Sequence, residues 1–197
     1  WWETAVIYRR LEGMSQCNAL VADRALAARP EERPTALRFH AWHSDTHALL
    51  NIGEELQPLL RQIELAAGEL LKLSRPLAMS KLDPLVDASM RVSEQGESTL
   101  EQAQPAYAWA GVYTCRSRAR QAGESAHGLL RIADPRTGIE MVSMAGGKFG
   151  MPTVFSLNES ELLLFPAWMR VAFPPQPGEG SHVSLRIGVR YLEEPVG

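Results

Sequence analysis

The second half of the chain consists of short apolar segments separated by turn-forming sequences. The apolar segments read "SMRVS", "AWAGVYTC", "LLRIA", "EMVSM", "TVFSL", "ELLLF", "MRVAF" and "HVSLRIGVRYL". Between them lie "DPRTG", "AGGKFGMP", "LNES" and "PPQPGEG", which are rich in Gly, Pro, Asn and Asp. Several short strands separated by such turn-forming sequences are typical of an antiparallel β-sandwich or barrel.

The first half instead has the composition and spacing of helices. Residues 15–28 predict a helix that is capped by Ser15 and ends before Pro30. Residues 56–73 predict a second helix, with Pro58 in its first turn, where the missing N–H costs nothing. Its apolar stripe comprises Leu56, Leu59, Leu60, Ile63, Ala66, Ala67, Leu70 and Leu71. Because the helices precede the strands, we expect an α+β fold with a mainly β core and helices packed on its outside.

The bulk properties are those of one globular domain. The 197 residues are 45% hydrophobic and 22% charged, and the net charge of −3 gives no reason to expect nucleic acid or an anionic membrane as a partner. No apolar run approaches the ~20 residues that span a bilayer. Cys17 and Cys115 lack CxxC or CxxH companions, so we expect neither structural zinc nor a disulfide framework. We expect a single domain over 1–197, with helical support in 1–80 and the β core in 88–193.

Five landmarks occur in a fixed order between about Asn18 and Arg190. They are "FHAWHSD", "PAYAWAGVYTC", "GLLRIADPR", "LLLFPAWMRVAF" and "SHVSLRIGV". In this order they resemble motifs of the 2-oxoglutarate/Fe(II)-dependent oxygenases, in particular a bacterial and algal group of prolyl-hydroxylase-like enzymes. The resemblance implies a double-stranded β-helix, or jelly roll, preceded by helices.

The resemblance also implies where an active site would lie. In that family two histidines and one carboxylate, or a near variant, hold Fe(II), and a cationic side chain binds the distal carboxylate of 2-oxoglutarate. Carried over, the metal-ligand positions fall on Gln102, Gln104 and Val171, and the cosubstrate position falls on His182. Valine has no lone pair, and a glutamine amide is a poor replacement for imidazole or carboxylate. The comparison therefore implies a degenerate site with no catalytic residue and no cofactor.

A histidine cluster upstream offers an alternative metal site. It comprises His40, His43, Asp45 and His47. If these residues held the metal, the protein would be an active oxygenase or hydroxylase with displaced ligands, and Fe(II) and 2-oxoglutarate would be its cofactors. In the competing interpretation, Ser44 or Asp45 caps a helix and Trp42 anchors the segment in the core.

A jelly roll without its metal can still bind a partner or a ligand. Two consecutive tryptophans, Trp1 and Trp2, either cover the sandwich edge or contact a protein partner. A mouth lined by Arg170 and His182 would suit a small carboxylate. We expect an inactive oxygenase-like protein that serves as a structural or accessory subunit of a larger complex, of respiratory or photosynthetic type. Because the sequence starts at Trp1, we expect an organelle interior (plastid or mitochondrion), with the cytoplasm as the alternative.

Overall fold

The computed structural model describes residues 4–32, 39–46, 53–74, 82–117, 129–133, 152–175 and 179–191. These residues form helices α1 (Ser15–Ala28) and α2 (Gln57–Ser74). They also form strands β1 (Ile7–Arg10), β2 (Trp42–His43), β3 (Pro84–Ser93), β4 (Thr99–Gln102), β5 (Trp109–Arg116), β6 (Leu129–Ile132), β7 (Thr153–Ser156), β8 (Glu161–Pro166), β9 (Val171–Phe173) and β10 (His182–Tyr191).

The strands build two antiparallel sheets that face each other. The larger sheet has the order β1-β8-β5-β10-β3-β2, and the smaller sheet has the order β4-β9-β6-β7. From β3 to β10 the chain passes back and forth between the two sheets, which is the arrangement of a jelly roll. The predicted mainly β fold is therefore confirmed.

Both helices form where their sequence predicts them. Helix α1 has the predicted bounds, but Ser15 is its first helical residue, and the N-cap is Met14, which makes no side-chain capping bond. The predicted serine cap is therefore wrong. Gly13, with φ of 73°, turns the chain into the helix one residue earlier than a serine cap requires. Helix α2 follows a short 3₁₀ turn and has Pro58 in its first turn, as predicted.

Three described strands were not predicted. Strands β1 and β2 lie in the region expected to be helical, yet they pair with β8 and β3 and so extend the larger sheet. Strand β4 begins the smaller sheet by pairing with β9. All three are short, and their partners lie far away in sequence, so no local periodicity marks them. The predicted segment "EMVSM" lies outside the described residues.

The helices cover the outer face of the larger sheet. Of the predicted α2 stripe, Leu60 and Leu71 are partly buried and the others are buried, namely Leu56, Leu59, Ile63, Ala66, Ala67 and Leu70. They pack with the outward side chains of the central strands, among them Met90, Leu185 and Ile187. The predicted position of the helices is confirmed. No helix among the described residues is long and apolar enough to cross a membrane.

A buried hydrogen-bond chain joins α1 to the sheet. The Tyr113 hydroxyl donates to Asn18 Oδ1 at 2.7 Å, and Asn18 Nδ2 donates to Ser160 Oγ at 2.8 Å. Asn18 is 1% exposed, so its amide would be costly to bury without these partners. The chain fixes the position of α1 relative to β5 and to the turn before β8.

A second core fills the space between the sheets. Ala110, Val112, Leu163 and Phe165 of the larger sheet lie in one cluster with Leu130, Ile132, Val171 and Phe173 of the smaller sheet. The functional positions discussed below border this inner core.

Gly111 is required where β5 contacts β8. A Cβ atom there would lie 2.3 Å from Leu164 Cδ2 and 2.8 Å from the Leu163 carbonyl oxygen, and the backbone oxygen cannot move cheaply. We expect Gly111→Ala to lower the free energy of unfolding by about 1–3 kcal/mol in urea titrations. The control is Gly68→Ala, where open space surrounds the added methyl group. It should instead gain up to about 1 kcal/mol. A Gly111→Ala variant as stable as the wild type would contradict this account of the contact.

Two buried free thiols predict a loss of stability in alkaline solution. Burial raises the pKa of Cys17 and of Cys115 above 9.0 in the folded chain. Above pH 9 the unfolded state therefore loses protons that the folded state keeps, and the free energy of unfolding falls as the pH rises. Each thiol contributes up to about 1.4 kcal/mol per pH unit there.

The measurement is the free energy of unfolding between pH 8 and pH 10 for the wild type and for Cys115→Ala. Because other ionisable groups are common to both proteins, the difference between the two slopes isolates this thiol. We expect the flatter profile for the variant. Parallel profiles would show that Cys115 does not cause the loss of stability in alkaline solution.

Candidate functional site

A small cavity lies between the two sheets, bordered by residues of both. Its volume is about 20 Å³, enough for about one water molecule. Its lining residues are Thr99, Gln102, Gln104, Ala110, Val112, Phe165, Met169, Val171, Phe173 and Arg186.

The three positions predicted from the family's metal ligands meet at this cavity. Gln102 on β4 and Val171 on β9 are register partners, so their side chains share the inner face of the smaller sheet. Gln104 follows β4, and its backbone N–H donates to the Ala167 carbonyl oxygen at 2.9 Å. The geometry therefore brings together two amides and one valine.

His182 and Arg170 are not among the described residues that line the cavity, contrary to the expectation for the mouth. His182 is 5% exposed and lies opposite Ser93. It is four residues from Arg186 along β10, a distance of about 13 Å at the rise of an antiparallel strand. Arg170 is exposed and pairs with Glu101 at 2.9 Å on the surface. The neighbour of Arg170, Val171, has the inward position on β9.

Arg186 is the cation that lines the cavity. It also lines a larger, open cleft of about 270 Å³, together with Asp87, Tyr107 and Gly188. Burial lowers the pKa of Arg186 below its ordinary value. The sequence analysis missed this residue, although side chains alternate in a strand and positions 182, 184 and 186 share one face.

Tyr107 packs directly against β10 at the floor of the larger cleft. A Cβ atom at Gly188 would lie 2.6 Å from the Tyr107 ring. Burial, and next the neighbouring Asp87 carboxylate, raise the pKa of Tyr107. Asp87 also pairs with Arg190 at 3.4 Å. Both charged residues that line this cleft therefore have a neighbour of opposite charge or a polar neighbour: Asp87 has Arg190 and Tyr107, and Arg186 has Tyr107.

A second arginine, Arg91 of β3, lies deeper and has no exposed surface. Its Nε donates to Thr99 Oγ1 at 3.1 Å, and its Nη1 donates to Ser93 Oγ at 3.2 Å. The guanidinium lies 4.1 Å from the centre of the Phe173 ring, in cation–π geometry.

The charge of Arg91 is costly in this position. Burial lowers the pKa of Arg91 to about 9, the charge of Glu97 raises it, and the charge of Arg186 lowers it further. The guanidinium is therefore still protonated at neutral pH. Glu97 also serves as the partner of Arg29, at 2.9 Å. Arg91 and Arg186 thus bring two positive charges to the inside of the sandwich, and the carboxylate of Glu97 acts on the first of them.

Of the upstream histidines, His43 lies on the edge strand of the larger sheet, and His40 lies beside the residue that precedes β4. His40 forms an isolated bridge with Ser98, and His43 on β2 is the register partner of Arg91. His47 lies outside the described residues, as do Trp1 and Trp2. Among the residues that the structure does describe, no group of three or more His, Cys, Asp or Glu side chains is arranged to hold a metal ion.

Comparisons with known proteins agree on the fold. The prolyl-4-hydroxylase of Pseudomonas putida is similar over 96% of this chain and 94% of its own, with a TM-score of 0.59 and 12% identity. The α-ketoglutarate-dependent carbocyclase SnoK from nogalamycin biosynthesis is similar over 95% of this chain and 79% of its own, with a TM-score of 0.62 and 8% identity. A 2OG-Fe(II) oxygenase family oxidoreductase from Burkholderia pseudomallei is similar over 94% of this chain and 84% of its own, with a TM-score of 0.56 and 12% identity.

Neither a protein-family model nor a curated protein sequence matches the chain. At identities of 8–12%, the structural similarity establishes the architecture. The resemblance seen in the sequence is thereby confirmed at the level of fold: this chain has the double-stranded β-helix fold of the Fe(II)/2-oxoglutarate-dependent oxygenases.

Proposed function

We propose that this protein is a catalytically inactive, oxygenase-like protein that serves as a structural or accessory subunit of a larger assembly. The observation that carries the proposal is the group of side chains around the inner cavity. Gln102, Gln104 and Val171, to which the family resemblance assigns the metal-ligand positions, line one cavity together with Arg186.

This set of side chains does not fit Fe(II). Valine offers no donor atom, and the two amide oxygens are weak ligands compared with imidazole nitrogen or a carboxylate. Neither amide carries the negative charge that a divalent cation needs for compensation. No reaction step through a metal is therefore assigned to this protein.

The charge of Arg186 supports the same conclusion. Its guanidinium lines the same small cavity as the three positions, and it is already partly desolvated. A divalent cation placed there would be repelled by it in a medium of low effective dielectric constant.

Calorimetry with Fe(II) under anaerobic conditions tests whether the site is inactive. We expect no saturable heat for the wild-type chain, with or without 2-oxoglutarate. Fe(II) binding that 2-oxoglutarate strengthens would overturn the proposal. The next variants would then be His40→Ala, His43→Ala and Asp45→Ala, because these residues belong to the alternative site.

A reconstructed site provides the positive control. The triple variant Gln102→His, Gln104→Asp and Val171→His would present two imidazoles and one carboxylate around the cavity. We expect this variant to bind Fe(II), and we expect the additional change Arg186→Ser to tighten binding by roughly tenfold because a nearby positive charge is removed. Equal affinities with and without Arg186 would show that its charge does not reach the metal position.

The accessory role is supported by exposed apolar side chains near β4. Phe39, Leu100 and Trp168 are 73%, 67% and 52% exposed. The Ser98 N–H donates to the Phe39 carbonyl oxygen at 2.9 Å, and Ala167, next to Trp168, accepts a bond from Gln104. These backbone bonds place Phe39 near the start of β4 and Trp168 near the residues that follow it, while Leu100 lies on the strand. We call the three residues the β4 patch. Large exposed aromatic side chains are enriched where proteins associate.

The partner test uses the tagged chain expressed in its native host and separated by size. We expect the wild type to elute with a larger assembly, and the variant Phe39→Ser, Leu100→Ser and Trp168→Ser to elute as the free chain. The control is Leu65→Ser with Leu73→Ser, which removes exposed apolar side chains from α2 and should not change elution. Elution of the wild type as the free chain would contradict the accessory role.

A further inference from the structure

The two sheets of the sandwich differ in what covers their outer faces. Helices α1 and α2 pack on the outer face of the larger sheet. On the outer face of the smaller sheet, side chains of β4, β6 and β7 are exposed, and neither of the two described helices packs against them. A sheet face that carries exposed apolar side chains is a candidate for association with another protein.

Strand register defines one row of side chains across this outer face. Arg131 on β6 lies directly opposite Ala172 on β9 and directly opposite Val154 on β7. At β4 a bulge places two residues, Leu100 and Glu101, opposite the single residue Ala172. Because both neighbours of Arg131 along β6 belong to the inner core, the side chain of Arg131 points outward. The row therefore crosses all four strands of the sheet.

The row combines apolar side chains with one cation that has no counter-charge. Leu100 and Val154, at its two ends, are 67% and 51% exposed. Glu101 pairs with Arg170 at 2.9 Å, so its charge is already compensated. Arg131 is exposed, and no carboxylate pairs with it among the residues that the structure describes. A partner that covers the apolar side chains would also cover this guanidinium, and it must then supply a negative charge.

The dimensions of the row fit one helix. Three strand spacings separate Leu100 from Val154, which is about 14 Å, and a helix with its side chains is about 10–12 Å wide. A partner strand would add to the edge of the sheet through its backbone, whereas the groups described here are side chains on a face. The other outer face of the same sandwich is covered by helices, where the apolar stripe of α2 packs.

Two other occupants fit the charge of this face less well. A second copy of the chain, packed about a two-fold axis through the row, would bring Arg131 close to its own symmetry mate, and like charges repel. An anionic membrane attracts clusters of basic residues. Within the described residues, however, the row offers one unpaired arginine, and the net charge of the chain is −3.

We propose that the outer face of the smaller sheet binds an amphipathic helix of a partner protein, and that an acidic residue in the apolar stripe of that helix pairs with Arg131. This inference rests on the proposed accessory role and names the chemistry of the partner. Leu100 belongs both to the row and to the β4 patch, so the two surfaces are continuous.

Charge reversal at Arg131 tests the pairing, with the tagged chain expressed in its native host and separated by size. We expect the wild type and Arg131→Lys to elute with the assembly, because both keep the positive charge. Arg131→Glu should lower the assembled fraction roughly tenfold or more, since two carboxylates would then face each other. The control Arg24→Glu makes the same change at an exposed position of α1 and should elute as the wild type does. All variants should keep the wild-type midpoint of thermal unfolding, because both positions are exposed.

Carbodiimide cross-linking of the Arg131→Lys assembly identifies the group that contacts this position. The reagent couples an amine to a carboxylate that lies against it, and the wild-type guanidinium serves as the unreactive control. We expect an amide bond between the introduced amine and an Asp or Glu side chain of another protein. Mass spectrometry should place that side chain in a segment whose apolar residues recur at helical spacing.

The results separate this inference from the accessory role. If the wild type and Arg131→Glu both elute with the assembly, the inference is overturned and the accessory role stands. If the wild type elutes as the free chain, both are overturned. The inference also fails if the introduced amine couples to no carboxylate, or to one on a second copy of this chain. Flotation of the wild type, but not of Arg131→Glu, with vesicles of phosphatidylcholine and phosphatidylserine would assign the face to a membrane instead.

Discussion

The pairing of β10 with both of its neighbours is the constraint on which the rest of the structure depends. Along its length β10 pairs with β3 on one side and with β5 on the other, and four of its side chains belong to the core beneath the helices. Its outward side chains, such as Leu185 and Ile187, pack against the helices. Its inward side chains, Ser184 and Arg186, define the polar interior. A one-residue slip would exchange the two faces and destroy both at once.

The charge inside the sandwich conflicts with the metal chemistry expected of the fold. A site for Fe(II) needs anionic or strongly donating ligands, whereas this interior holds two guanidinium groups and hydroxyl donors. On the proposed assignment, Gln102, Gln104 and Val171 stand where ligands are expected, and Arg91 and Arg186 add positive charge nearby.

The parts of the fold that depend on local periodicity were predictable from the sequence, and the parts that depend on distant partners were not. Helix α1 and the stripe of α2 follow from neighbouring residues, but β1 has no signal until its partner β8 is known. In the site, comparison with family motifs located Gln102, Gln104 and Val171 at one cavity. Family motifs mark only the positions at which a ligand or a cosubstrate-binding group is expected. Arg91 and Arg186 occupy positions where no such group was expected, although strand alternation places Arg186 on the inner face.

The packing of Tyr107 against Gly188 makes two distant sequence positions complementary. The tyrosine ring fills the volume that any side chain at position 188 would need. A larger residue at one position is compatible with the fold only if the other becomes smaller. Because both residues line the larger cleft, the exchange would also reshape that cleft while the sheet stays intact. In sequences descended from the same ancestor these two positions should therefore vary together, and their combined volume should vary less than either alone.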